Sequence, residues 1–266
     1  MITRQLGSEV RWMLRRPRTV IGLFGLVLVP IVISFGIWTA DGDGGGPGLA
    51  AILNGNGLVV SVFTLFLSLN LLLPLVASIW AADGLAGEAQ HGTLRGLLVA
   101  PVSRVRLLFV KLFGISAMSL FAVTLMAVVG MIAGTAFLGN DGMMTLSGNT
   151  LSTGEGLLRI AFFIVLVTFQ MVAVGSIALA ISATTEHPLV VQAATMTGII
   201  VFQVLGQFPS LDWLHPFLIT TAFPGLVDVM RDPMPLDQIW DSTLLAGCYL
   251  LIGTGLAAAR LITKDN

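Results

Sequence analysis

Apolar stretches long enough to cross a bilayer recur along this chain, and they constrain its fold more than any other feature. The 266 residues are 56% hydrophobic and 10% charged, whereas soluble domains carry about 25% charged residues. A soluble core of this size could not bury so much apolar surface, so the bilayer must be the solvent. The sequence therefore predicts an all-α, polytopic membrane protein.

Six spans are predicted, because a spanning helix needs about 20 mostly apolar residues. The predicted spans cover residues 19–39, 57–82, 105–138, 157–183, 189–207 and 240–262. No repeat relates the two halves, so residues 1–266 are expected to form a single transmembrane domain. The span at 105–138 is longer than a bilayer requires. The first span is expected to be retained as an anchor rather than cleaved.

Two further segments are predicted to lie at the membrane surface. Residues 1–18 carry five arginines, and their apolar side chains recur at helical spacing, which predicts an amphipathic interfacial helix. Residues 208–239 are too polar to span but contain Trp213 and Phe217. This pattern predicts a half-inserted, re-entrant hairpin at the outer interface, where aromatic residues settle.

The distribution of positive charge predicts the orientation. With both termini inside, eleven of the 13 lysines and arginines fall in cytoplasmic segments, and only Arg159 and Arg231 fall outside. Positively charged residues collect in cytoplasmic segments. We therefore expect a multi-pass protein of the cell (plasma) membrane, the inner membrane where there are two, with cytoplasmic N- and C-termini. The loop 83–104 would also be cytoplasmic.

This loop is the longest charged interval between apolar spans, and it has helical periodicity. One face carries three leucines at i, i+3 and i+4, and the opposite face is polar. The leucines are Leu94, Leu97 and Leu98, and the polar residues are Glu88, His91 and Arg95. An amphipathic helix here can dock into a groove on a partner protein, or it can lie on lipid as a plain connector.

The loop also contains a longer pattern, E-x-x-x-G-T-L-x-x-L-L-x-x-P-x-S-R, followed by a lysine. The pattern is made by Glu88, Gly92, Thr93, Leu94, Leu97, Leu98, Pro101, Ser103, Arg104 and Lys111. It resembles the signature of type-2 ABC transporter permeases, the membrane subunits of ATP-binding-cassette exporters. The surface helix, the long third span and the outer hairpin resemble the layout of that family across the whole chain.

The resemblance implies a half-transporter that dimerises with a second copy or a sister permease and docks a separate cytoplasmic ATPase. The implied coupling residues are Glu88, His91, Gly92, Thr93, Leu94, Arg95, Leu98, Pro101 and Arg104. Gln90 and His91 stand where the family often has acidic residues. ATP and magnesium would be held by the partner. This chain has no G-x-x-x-x-G-K-[ST] motif, so it is expected to be no enzyme and to hold no cofactor or metal.

Polar residues inside the predicted spans are candidates for lining the pathway. They are Asn70, Gln170, Gln192 and Gln203. Such side chains are functional suspects in a membrane, but interhelical hydrogen bonding explains them equally well. Glu186 and His187 are either a second contact for the ATPase or part of a capped turn. An uncharged lining would suit a hydrophobic or amphipathic substrate.

Two other functions stay open at this stage. A gradient-driven secondary transporter or channel would usually need carboxylates inside the membrane, and the predicted spans carry none beyond Asp241 at the start of the last span. A permease-like subunit that transmits force without moving a solute is also compatible with the sequence. The net charge of −1 gives no indication of a nucleic-acid partner.

Overall fold

The structure is a computed structural model that describes residues 2–42, 55–90, 92, 104–139 and 142–263. Helices dominate these residues, which confirms the predicted all-α membrane fold. The α-helices are α1 (Ile2–Leu14), α2 (Pro17–Gly42), α3 (Gly57–Leu69), α4 (Leu72–Gly84), α5 (Ala86–Gln90), α6 (Arg104–Leu138), α7 (Thr153–Ser182), α8 (Pro188–Leu205) and α9 (Leu236–Thr263). Two short strands, β1 (Met143–Met144) and β2 (Thr150–Leu151), and four 3-10 helices between residues 209 and 230 complete the described part.

The described helices supply five candidate single spans and one bent pair that could form a sixth. Helices α2, α6, α7, α8 and α9 are each long and apolar enough to cross a bilayer, and α3 and α4 together form a pair bent by 59°. The sequence predicts one continuous span at 57–82, but the helix breaks at Asn70 and Leu71. Pro74 lies one turn further on, and a proline ring clashes with the carbonyl four residues earlier.

Helix α7 forms the centre of the bundle and packs against α4, α6, α8 and α9. Small residues permit the closest approaches. Gly253 on α9 lies against the backbone at Ser176 on α7, and Gly57 on α3 lies against the backbone of Gly134 on α6. Many large apolar side chains on the outer faces of the spans remain exposed, as expected for helices surrounded by lipid.

A short hairpin closes one end of the bundle, called the hairpin end below. Strands β1 and β2 pair antiparallel, with Met143 opposite Leu151. Met143 is fully buried against Gly156 and Leu58. Helix α7 then begins in a capping box, in which Ser152 Oγ accepts from the Glu155 N–H and the Glu155 carboxylate accepts from the Ser152 N–H.

The four 3-10 helices occupy the region for which the sequence predicts a re-entrant hairpin. Phe223 and Leu226 are buried against the bundle, whereas Trp213 and Phe217 are 70% and 63% exposed. The side chain of Arg159 ties this segment to α7 by donating to the Val229 carbonyl at 2.9 Å. The last span begins at Leu236 rather than at residue 240. How deep the segment lies in a bilayer stays a prediction.

Candidate functional site

Lys111 is the centre of a buried cluster of charges at the end of the bundle opposite the hairpin end. Its side chain is 2% exposed, although it lies on the long apolar helix α6. The Lys111 Nζ atom lies 2.9 Å from Glu9 Oε1 on α1 and also pairs with Glu88 Oε1 on α5. Two carboxylates from different helices thus share one lysine.

A second ion pair extends this cluster to α4. Arg16 Nη1, in the link between α1 and α2, lies 2.7 Å from Asp83 Oδ2 near the end of α4. The Arg16 guanidinium stacks over the Trp12 ring at 3.6 Å from the ring centroid, and Lys111 Nζ lies 5.2 Å from the same centroid. We call Glu9, Arg16, Asp83, Glu88 and Lys111 the charged cluster, and its end of the bundle the charged end.

Burial makes the Glu88 carboxyl a weaker acid than an exposed glutamate, because it raises the pKa. Desolvation raises the pKa of the Glu88 carboxyl above its ordinary value of 4.5, and the neighbouring Lys111 ammonium opposes this by favouring the ionised form. Glu9 adds to the upward shift of the pKa because it is a second negative charge nearby. The carboxyl is therefore easier to protonate than an exposed glutamate.

Helix α5, which carries Glu88, is also fixed to α7. The Ala86 N–H donates to Ser182 Oγ at 2.8 Å, and the Ser182 hydroxyl donates to the Ala82 carbonyl at 3.3 Å. A single hydroxyl at the end of α7 thus bonds the backbone on both sides of the junction between α4 and α5. The junction is held on one side by this hydroxyl and on the other by Lys111.

Three of the predicted coupling residues lie within the described part of the chain. Glu88 is buried at 9% exposure. Gly92 adopts a φ of +71°, a conformation that favours glycine. Arg104 donates to the Leu261 carbonyl and, at 3.1 Å, to the Ile262 carbonyl in the last turn of α9. Arg104 thereby satisfies carbonyls that a helix end leaves without partners.

The remaining predicted coupling residues fall outside the described residues. They are His91, Thr93, Leu94, Arg95, Leu98 and Pro101. Residues 93–103 follow α5 and lead into α6. The predicted amphipathic helix in this segment, and its contact with an ATPase, therefore stay predictions.

Glu186 and His187 are exposed in the turn between α7 and α8. The turn follows Ser182 by a few residues, so it lies at the charged end. The His187 N–H donates to Thr185 Oγ1 at 3.2 Å, which is a local turn contact. The structure thus places this pair on the surface near the charged cluster, where a second contact for a partner stays a prediction.

The four candidate pathway residues occupy three separate places. Gln170 is 1% exposed and donates to the Ser242 carbonyl of α9 at 3.0 Å. Gln203 on α8 donates to the carbonyl of Asn70 at the break in span two. Gln192 lines a groove of about 560 Å³ between α2, α4 and α8. The side chains of Gln170 and Gln203 thus make interhelical hydrogen bonds, whereas the Asn70 side chain donates to the Phe66 carbonyl within its own helix at 3.1 Å.

Sequence reasoning did not identify Glu9 and Arg16 as members of the cluster. Glu9 is the one acidic residue among residues 1–18, which otherwise carry five arginines. A single acidic residue in a basic surface helix is a signal that its carboxylate pairs with a basic residue inside the protein. Lys111, the one lysine of a long apolar helix, was the matching signal.

A larger groove lies at the other end of the molecule, between the 3-10 helices and α9. It has a volume of about 900 Å³, and its walls include Phe217, Leu245, Cys248 and Tyr249, with Asp241 among its polar residues. In the described residues, no group of three or more His, Cys, Asp or Glu side chains is placed to hold a metal ion.

One comparison with known proteins bears on this architecture. A protein-family model described as "ABC-2 family transporter protein" matches residues 15–265. The match spans all the membrane-crossing helices and every member of the charged cluster except Glu9. No curated protein matches the chain.

Proposed function

This chain belongs to the ABC-2 family of transporter proteins, and we propose that it is the permease subunit of an ATP-binding-cassette exporter. It would pair with a second permease, identical or related, to enclose a substrate pathway. A separate cytoplasmic ATPase would dock on each permease, bind ATP and magnesium, and supply the work. The chain itself would contribute the pathway and the docking surface.

The observation that carries this proposal is that members of the charged cluster flank residues 91–103 in the sequence. Glu88 lies just before this segment, Lys111 lies just after it, and the two side chains form an ion pair. A push on the segment would reach α6 through Lys111 and α4 through its junction with α5. The Glu9 pair would carry the same movement to α1.

This arrangement changes the role we assign to Glu88. Its buried carboxylate is directed at Lys111, so we expect it to act through the cluster rather than by touching the ATPase. Direct contact would fall to residues 91–103, with Arg95, Leu94 and Leu98 as the expected contacts. Glu186 and His187 would add a second contact at the same end.

The proposed orientation puts the charged end in the cytoplasm. Lys and Arg residues concentrate there, as cytoplasmic segments usually require. The hairpin end and the 3-10 helices would then face outward from the plasma membrane. The apolar walls of the two grooves favour a hydrophobic or amphipathic substrate over a free ion.

The test is to reconstitute the chain in lipid with and without its cognate ATPase. We expect no ATP hydrolysis by the chain alone and stimulated hydrolysis in the complex. The change Arg95→Glu should reduce the stimulation several-fold, whereas Leu146→Glu, a charge placed on the exposed hairpin end, should leave it unchanged. Gradient-driven flux through the chain without any ATPase would overturn the proposal. Stimulated hydrolysis without export of any solute would indicate a force-transmitting subunit instead.

A further inference from the structure

The break in span two depends on a donor from another helix. We propose that Gln203 on α8 is a positioning residue that fixes the bend between α3 and α4. It would do so by giving the Asn70 carbonyl the hydrogen bond that Pro74 cannot give. The structural part of this inference is independent of the proposed function, and its consequence for transport rests on that function.

The need for this donor follows from helix geometry. In an α-helix each carbonyl accepts from the N–H four residues later, so the Asn70 carbonyl would accept from residue 74. Residue 74 is a proline, which has no N–H, and its ring also pushes that carbonyl away. Because hydrocarbon offers no water as a substitute, a freed carbonyl within a membrane must find a partner in the protein.

Several other polar groups at the break have local partners. The Asn70 side chain donates to the Phe66 carbonyl at 3.1 Å, and the Leu71 N–H donates to the Ser68 carbonyl at 3.3 Å. The Leu75 N–H donates to the Leu71 carbonyl at 3.0 Å, which restarts the helix. The Asn70 carbonyl instead accepts from Gln203 Nε2, 133 positions away in the sequence.

The bond joins the bend to a helix that also reaches the charged end. Gln203 lies 15 residues after Pro188, the first residue of α8, which corresponds to about 22 Å along the helix axis. The other end of α8 packs near α5, the helix that carries Glu88. In a working exporter, a movement of α8 at the charged end would therefore change the angle of the bend between α3 and α4.

The sequence offers a site-specific probe of this carbonyl. Asn70–Leu71 is the only Asn–Leu pair in the chain, so carbonyl-¹³C asparagine combined with ¹⁵N leucine labels a single peptide bond. Solid-state NMR of the full chain in lipid then reports the Asn70 carbonyl alone. Loss of a hydrogen bond moves a carbonyl carbon to lower chemical shift.

The experiment compares the wild type with Gln203→Leu, Pro74→Ala and the double variant. We expect Gln203→Leu to lower the Asn70 carbonyl shift in the wild-type background. The same change should have little effect beside Pro74→Ala, because an alanine N–H at position 74 replaces the lost donor. Gln192→Leu, the same substitution on the same helix, is the matched control and should leave the shift unchanged.

Two results would overturn the assignment. One is an unchanged Asn70 shift in Gln203→Leu, and the other is an equal effect of Gln203→Leu in both backgrounds. If Gln203→Leu alone fails to fold, rescue of folding by Pro74→Ala supports the assignment and failure of rescue refutes it.

The positioning role has its own readout in the reconstituted complex with the ATPase. Gln203→Leu should lower the maximal rate of ATP hydrolysis several-fold and leave the KM for ATP unchanged, because ATP binds in another chain. An unchanged maximal rate together with a shifted carbonyl would overturn the positioning role. Absence of permease-dependent hydrolysis in the wild type would instead refute the proposed function and leave the bend assignment intact.

Discussion

The Lys111 ammonium and the Glu9 carboxylate lie 2.9 Å apart, although 102 positions separate them in the sequence. The contact pins α1 to α6 at the charged end. Gly114, one turn along α6, makes room for this contact because a Cβ atom there would lie 3.0 Å from Glu9 Cγ. The N-terminal helix is thus packed on the bundle in addition to having the amphipathic pattern of a surface helix.

Removal of the Lys111 charge should destabilise the protein strongly. Lys111→Met leaves Glu9 and Glu88 close together without their shared cation, and loss of one partner of a buried ion pair typically costs about 3–5 kcal/mol. The measurement is the unfolding midpoint of the purified chain, followed by tryptophan fluorescence on heating. We expect a clear drop in Tm.

Two variants make this experiment specific. Arg11→Gln removes an exposed positive charge from the same surface helix and should leave Tm nearly unchanged. The triple variant Glu9→Gln, Glu88→Gln, Lys111→Met should recover much of the loss, because no uncompensated charge remains. A drop in Tm for Lys111→Met no larger than that for Arg11→Gln would contradict the importance of the cluster.

The raised pKa of Glu88 predicts a pH dependence of stability. A carboxyl whose pKa is higher in the folded state binds its proton more tightly there. Its stabilising contribution is therefore complete below the unfolded value of about 4.5 and is lost as the pH rises through the folded value. The Tm of the wild type minus that of Glu88→Gln should fall as the pH is raised from 4.5. A Tm difference that rises with pH would show that the ion pair with Lys111 stabilises the Glu88 carboxylate more than burial destabilises it.

Close backbone contact between α3 and α6 predicts the effect of a single methyl group. A Cβ atom at Gly134 would overlap the Gly57 carbonyl, so Gly134→Ala should force the two helices apart at a cost of about 1–3 kcal/mol. Gly36→Ala is the control, since a Cβ there meets nothing within 4 Å. Thermal unfolding should show a lower Tm for the first variant only, and equal midpoints would contradict the packing.

The proposed orientation can be tested with single cysteines. Cys248 is the one native cysteine, so Cys248→Ala provides a background without thiols. Glu186→Cys lies at the charged end, and Leu146→Cys is exposed at the hairpin end. A membrane-impermeant maleimide should label Leu146→Cys in intact cells and Glu186→Cys only after the membrane is opened. The opposite pattern would invert the topology.

The long apolar helices were predictable because lipid simplifies the problem. A helix that crosses hydrocarbon must be long and apolar whatever its neighbours are, and the last of them differs from its predicted bounds mainly in starting a few residues earlier. The Glu9–Lys111 pair was not predictable in the same way. Each residue looks unusual in its own segment, but only the tertiary fold brings α1 and α6 together.

The two prolines inside spans illustrate the same limit. Pro30 lies within the continuous helix α2, whereas Pro74 follows a break of 59°. A proline removes the same backbone hydrogen bond at both places. At Pro74 the Asn70 carbonyl accepts a hydrogen bond from Gln203. This donor lies on a helix far along the chain, so the sequence around Pro74 gives no sign of it.

Because α6 is long, the surroundings of Lys111 depend on the thickness of the membrane. Its 35 residues extend over about 52 Å, whereas the hydrocarbon core is about 30 Å thick. If the helix stands upright, about 20 Å of it lies beyond the hydrocarbon, and Lys111 lies only about 10 Å from its first residue. A thicker bilayer would draw the Lys111 turn closer to the acyl chains, so we expect lipid chain length to alter how readily Glu88 takes up a proton.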